Sequence, residues 1–137
     1  MTKKILLVED SITQALKTKL SLTNKGYIVD IATDGERGVA LAAQFRPNVV
    51  VLDMNLPKLS GLEVCKILKS DAAMRSTTII MFSEEDRLKT INGAYEVGAD
   101  YYIAKSENAE ELLTSVIETF FARKSASLRR LPAEPSL

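Results

Sequence analysis

Short runs of consecutive apolar residues alternate along this chain with segments whose apolar positions recur every three or four residues. Ile5-Leu6-Leu7-Val8 is apolar throughout, the pattern of a strand buried on both faces. Tyr27-Ile28-Val29-Asp30-Ile31-Ala32, Val49-Val50-Val51-Leu52, Thr78-Ile79-Ile80-Met81-Phe82 and Tyr101-Tyr102-Ile103-Ala104 supply four more β-rich runs. Between them lie helical segments with readable starts. Ser11-Ile12-Thr13-Gln14 has capping-box spacing, a hydroxyl followed three residues later by Glu or Gln, with Leu16 and Leu20 beyond it at helical spacing. Thr33-Asp34-Gly35-Glu36 and Ser60-Gly61-Leu62-Glu63 repeat that signature. A fourth helix is predicted from about Glu85 to Val97. Asn108-Ala109-Glu110-Glu111 opens a fifth, with Leu112, Leu113, Val116, Ile117 and Phe120 along its inner face. Gly26 and Gly98 stand where a helix stops and a strand follows.

Five βα units in succession imply an α/β fold, a doubly wound parallel sheet with helices on both faces. The flavodoxin-like (βα)5 order, 2-1-3-4-5, suits five strands, and ligands then bind beyond the carboxyl ends of the central strands. Glu9 and Asp10 follow the first strand, Asp53 the third, Ser83 the fourth and Lys105 the fifth. On this topology three carboxylates, a hydroxyl and an ammonium meet at one edge.

Composition narrows the chemistry. The chain has 137 residues, enough for one domain and little more, and 46% are apolar. Its 18 basic and 18 acidic residues cancel, so no global charge favours nucleic acid. No apolar run approaches a membrane span, and the N-terminus does not read as a signal peptide. The single cysteine, Cys65, fits a reducing cytoplasm and reads as buried filler in a helix. There is no histidine, which removes His-ligated metals, Ser-His-Asp catalysis and a phosphohistidine carrier role.

Three adjacent carboxylates repel one another and need a cation. Oxygen donors without His or Cys select Mg²⁺, Mn²⁺ or Ca²⁺ over zinc, and Mg²⁺ binds through one or two carboxylates plus a phosphate oxygen. An Asp carboxylate can act as a covalent nucleophile and become an aspartyl phosphate. Lys105 would neutralise the oxygens of the transferred group and the Ser83 hydroxyl would bond one of them. Taken alone, each residue has a plain reading: a solvated Glu-Asp loop, a capping Asp53, an N-cap Ser83, a surface Lys105. Their joint placement at strand ends is the signal.

Ile5-Leu6-Leu7-Val8-Glu9-Asp10-Ser11, Val50-Val51-Leu52-Asp53-Met54-Asn55-Leu56-Pro57, Ser60-Gly61-Leu62-Glu63 and Gly98-Ala99-Asp100-Tyr101-Tyr102-Ile103-Ala104-Lys105 together resemble the receiver domain of bacterial response regulators, chemotaxis regulators in particular. The resemblance covers about residues 3 to 122. It implies two-component signalling in the cytoplasm, with Asp53 as phosphoacceptor and Mg²⁺, or Mn²⁺ in its place, as cofactor. It implies that Asp10 and Asp53 hold the metal, Glu9 acts through water, and the Met54 backbone carbonyl is a further ligand. Ser83 and Tyr102 match the switch hydroxyl and aromatic, and Lys105 the phosphate-contacting lysine. Read from the residues alone, either tyrosine is as well explained by packing. The implied partners are a histidine kinase or phosphotransfer protein docking near the first helix, and a downstream protein target. That target would meet the face of fourth helix, fifth strand and fifth helix, which could also form a homodimer. Such a domain carries out only its own phosphorylation and dephosphorylation.

By the same resemblance, Asn55 and Glu85 flank the water that hydrolyses the phosphoryl bond, which implies a fast-decaying signal. Two departures stand out. Ser106 replaces the usual proline after the lysine, and the Lys105–Ser106 bond is expected to be trans. Glu84 follows Ser83 where a small residue is common; it either narrows access for an anionic donor or points into solvent.

Residues 1–122 hold 14 basic and 17 acidic residues, whereas 123–137 hold Arg123, Lys124, Arg129 and Arg130 against Glu134 alone, with Pro132 and Pro135. The expected division is a receiver domain over 1–122 and a basic, proline-containing tail over 123–137. With no second domain, direct DNA binding by this chain is not expected. The rival readings are an aspartate-nucleophile phosphatase, which lacks a second acid beside Asp53, and a phosphorylation-independent interaction module, kept open by Glu84 and Ser106. Flavin binding is disfavoured by Glu9 and Asp10, which would repel a phosphate.

Overall fold

The computed structural model describes residues 2–130. Strands and helices alternate: β1 (Lys4–Val8), α1 (Ile12–Asn24), β2 (Ile28–Ala32), α2 (Gly35–Phe45), β3 (Val49–Leu52), α3 (Gly61–Ser70), β4 (Thr78–Ser83), α4 (Leu88–Glu96), β5 (Tyr101–Ala104) and α5 (Ala109–Arg130). Every strand pairing is parallel and the order is β2-β1-β3-β4-β5, the flavodoxin-like order expected from the sequence.

Alternate side chains of each strand enter two cores. Leu6, Val8, Val50, Leu52, Ile79 and Met81 face α2, α3 and α4, where Ala42, Val64, Cys65, Leu68 and Ala94 complete the packing. Ile5, Leu7, Val49, Val51, Ile80, Phe82 and Ile103 face the other way, against Leu22 of α1 and Ala109, Leu113, Ile117 and Phe121 of α5. Burial on both faces is why the strands read as unbroken apolar runs.

Local signals fixed most boundaries and missed a few. Ser60 makes a full capping box with Glu63. The second helix is capped by Asp34 rather than Thr33, its side chain accepting the Arg37 N–H at 2.7 Å. Gly26 and Gly98 take φ of 94° and 109°, a conformation that favours glycine, at the exits of α1 and α4. The fourth helix starts at Leu88, later than the expected Glu85. The backbone of Glu85 is engaged elsewhere: its N–H donates to Ser83 Oγ at 3.3 Å and its carbonyl accepts the Tyr102 hydroxyl at 2.7 Å. On α5 the inner face is Ala109, Leu113, Ile117 and Phe121, while Leu112, expected inside, is 52% exposed. α5 runs unbroken through residue 122 to Arg130, so the proposed division falls inside a helix. Pro132, Glu134 and Pro135 lie outside the described residues. Among those described, no helix is long and apolar enough to cross a membrane.

Candidate functional site: an acidic cluster with a lysine at the carboxyl edge

Parallel register carries the strand ends to one place. The Glu9 N–H donates to Ala32 O at 3.0 Å, the Asp53 N–H to Val8 O at 3.0 Å and the Lys105 N–H to Ser83 O at 2.7 Å, extending the ladder one step past the strands. Glu9, Asp10 and Asp53 each offer an oxygen within 4.8 Å of the others. Asp53 is only 8% exposed. Its Oδ1 accepts the Asn55 N–H at 3.2 Å, and its Oδ2 lies 3.6 Å from Lys105 Nζ. Lys105 also donates to Glu9 Oε1 at 2.6 Å and sits 5.3 Å from the centre of the Phe82 ring. Burial pushes the Glu9 carboxyl above its ordinary value, and the Asp53 charge adds to this, against the Lys105 ammonium and the Ser11 N–H.

Two of these carboxylates, Glu9 and Asp53, contact the Lys105 ammonium, and the exposed Asp10 adds a third negative group, which leaves surplus negative charge in a partly buried site. That donor set, all oxygen in a chain without histidine, fits a divalent hard cation. Met54 is buried, and its carbonyl accepts the Gly61 N–H at 2.8 Å, which ties it to the start of α3. Gly61 is required there, because a Cβ would run into the Asp53 carbonyl and the Met54 Cα.

The other expected residues stand around this cluster. Ser83 is fully buried, and its hydroxyl turns to the Glu85 N–H rather than to Asp53. Tyr102 is half-buried against the first core, and burial pushes its phenol up. Asn55 is exposed, Glu85 is half-buried with its Oε1 gripped by Arg87 at 3.1 and 3.2 Å, and Glu84 is exposed. No peptide bond among the described residues is cis, so Lys105–Ser106 is trans, and Lys105 still reaches the cluster. Cys65 is the buried filler expected, its thiol pushed up to about 11 by burial. One site neighbour escaped the sequence reading: Gln14, whose Oε1 accepts from Lys105 Nζ at 2.8 Å.

A doubly wound five-stranded sheet with this acidic cluster at its carboxyl edge defines a class of signalling domain. The sequence matches the family described as "Response regulator receiver domain" over residues 5–117, and the chain belongs to that family. It is 33% identical over 113 residues to Protein PilG of Pseudomonas aeruginosa, covering 82% of this chain and 84% of that protein. The chemotaxis response regulator CheY4 of Vibrio cholerae superposes with a TM-score of 0.78 at 30% identity, covering 86% of this chain and 98% of that one. The Mn²⁺-bound form of response regulator Rcp1 does so with a TM-score of 0.73 at 27% identity, covering 85% and 90%. The chain spans about half the length of other curated relatives it matches, 52% of a DNA-binding master transcriptional regulator from Synechocystis among them. Receiver domains are signalling domains rather than classical enzymes.

Proposed function

We propose that this receiver accepts a phosphoryl group on Asp53 from a histidine kinase or phosphotransfer protein and thereby controls a partner protein. The observation that carries the reading is a buried Asp53 sharing an edge with two further carboxylates and the Lys105 ammonium. An Asp53 carboxylate oxygen attacks phosphorus, the donor's P–N bond breaks, and its electron pair stays on the imidazole. Lys105 would neutralise a phosphoryl oxygen. Asp10 and Asp53 would hold Mg²⁺ or Mn²⁺, with Glu9 through water and the remaining lone pair of the Met54 carbonyl as the weakest member. The cation supplies charge neutralisation on the transferring oxygens. A solved relative is Mn²⁺-bound, which supports a divalent cation as the ligand.

Ser83 is one bond from the loop that Tyr102 pins through the Glu85 carbonyl. A phosphoryl oxygen drawing the Ser83 hydroxyl would release Glu85 and free Tyr102 to turn inward, changing the α4-β5-α5 face. That face meets the downstream target or a second copy. Donor docking falls on α1, where Ile12, Leu16 and Leu20 are 52%, 54% and 63% exposed beside the site. For hydrolysis, water attacks phosphorus between Asn55 and Glu85, the P–O bond to Asp53 breaks, and the carboxylate leaves. Decay is fast on this reading; persistence over many hours refutes that part.

Intact-mass measurement after incubation with acetyl phosphate and Mg²⁺ tests the proposal. A single phosphoryl adduct is expected in the wild type and none in Asp53→Asn. Absence of an adduct together with failure to bind beryllofluoride overturns it in favour of a phosphorylation-independent interaction module.

A further inference from the structure

A ring of four hydrogen bonds closes around the entrance of α1. The Ser11 N–H donates to Glu9 Oε2 at 3.1 Å, and the Gln14 N–H donates to Ser11 Oγ at 3.3 Å. Lys105 Nζ donates to Gln14 Oε1 at 2.8 Å and to Glu9 Oε1 at 2.6 Å. In a complete capping box the Gln14 side chain would return to the Ser11 N–H. Here Glu9 takes that N–H, which releases the Gln14 amide to reach a lysine 91 residues away.

An ammonium has three donors. Glu9 and Gln14 take two, which leaves one for the Asp53 side, where Oδ2 lies 3.6 Å away. Gln14 and Lys105 also line the same open hollow, of about 230 Å³. We propose that Gln14 is a positioning residue for phosphoryl capture: its neutral amide oxygen holds the Lys105 ammonium in aim without adding a charge. This rests on the phosphoacceptor reading above. A carboxylate at the same place would also hold Lys105, but as a further negative group it would repel an incoming phosphoryl and attract a cation. The choice of an amide separates aim from charge, and it links the first turn of α1 directly to the lysine.

The test compares wild type, Gln14→Met and Gln14→Glu in the full chain, by titration with Mg²⁺ alone and with beryllofluoride at saturating Mg²⁺. Gln14→Met keeps helix propensity and loses the acceptor, so beryllofluoride binding weakens by about three- to tenfold, the scale of one partly exposed charge-assisted hydrogen bond. Its Mg²⁺ affinity stays within about twofold, since no metal-ligating oxygen is touched. The ordered ammonium resonance of Lys105 in proton–nitrogen NMR, expected in wild type and Gln14→Glu, is lost in Gln14→Met. Gln14→Glu moves the two affinities in opposite directions, tighter for Mg²⁺ and weaker for beryllofluoride, a split that loss of helix structure would not produce. Unchanged beryllofluoride binding in Gln14→Met, or a parallel fall in both affinities, overturns the assignment. Failure of the wild type itself to bind beryllofluoride overturns this assignment, and where the acetyl phosphate adduct is absent as well, the phosphoacceptor reading falls with it.

Discussion

Helices α1 and α5 cover the same face of the sheet, yet an apolar stripe of spacing four faces inward on one and outward on the other. On α5, Ala109, Leu113, Ile117 and Phe121, four residues apart, are at most 4% exposed. On α1, Ile12, Leu16 and Leu20 have the same spacing and are all at least 52% exposed, while Ala15, Thr18 and Leu22 face inward. Two of those inward residues are small, and one is polar. The contrast teaches that helical spacing identifies a stripe without saying what covers it. The α5 stripe fills the core that Leu22 of α1 also enters, whereas α1 leaves its own stripe exposed on the helix that follows Asp10.

Truncation separates the two helices most sharply. Leu113→Ala leaves a void in a fully buried position and should cost about 2–5 kcal/mol in urea denaturation. A cost near zero would break the comparison. Thr18→Val is smaller. Thr18 Oγ1 donates to Glu110 Oε2 at 2.8 Å, a partly buried polar link between α1 and α5. Valine keeps the volume and strips the donor, so a loss of about 1 kcal/mol is expected by the same measurement. A gain in stability would mean that packing alone joins the helices.

A pH effect sharpens the α5 side further. Tyr27 stacks on Phe121 with ring centres 5.4 Å apart, and burial pushes its phenol above 10.0, helped by the Glu118 charge. A folded-state value raised above the unfolded one means the contribution is fully present below pH 10.0 and is lost as pH rises through the folded value. Denaturation midpoints should therefore fall more steeply above pH 10.0 in wild type than in Tyr27→Phe. Parallel curves would show that the ring ionises as freely in the folded protein as in the unfolded chain.

How much of this was legible beforehand depended on whether the deciding contact was local. Strand runs such as Val49–Leu52 were readable because burial on both faces leaves no polar position. Ser60 and Glu63 were readable because both halves of that cap lie within one turn. The acidic cluster followed from strand ends alone, since parallel pairing must bring Val8 beside Leu52 and Ser83 beside Ala104. The start of α4 was not, because Tyr102, 17 residues on, captures the Glu85 carbonyl. The sequence pairs Gln14 with Ser11 as a capping box, and only the folded neighbour Glu9 diverts its side chain. Leu112 and Phe121 exchanged roles because the inner face of α5 follows a spacing of four from Ala109, which adjacent leucines do not reveal.

The smallest expected stability effect is the one that asks most of the comparison. Leu16→Ser removes a large apolar side chain from α1, but one already 54% exposed, so unfolding free energy should change by no more than about 0.5 kcal/mol. If the stripe serves a donor protein, transfer from a phosphorylated histidine phosphotransfer protein should slow several-fold in this variant. Labelling by acetyl phosphate, which needs no helix contact, should keep its wild-type rate. Equal slowing of both would place Leu16 in the support of the Gln14–Lys105 ring, two residues along the helix, rather than on a docking face. A destabilisation as large as that of Leu113→Ala would mean that the stripe is held by the fold after all, and the contrast between the two helices would be lost.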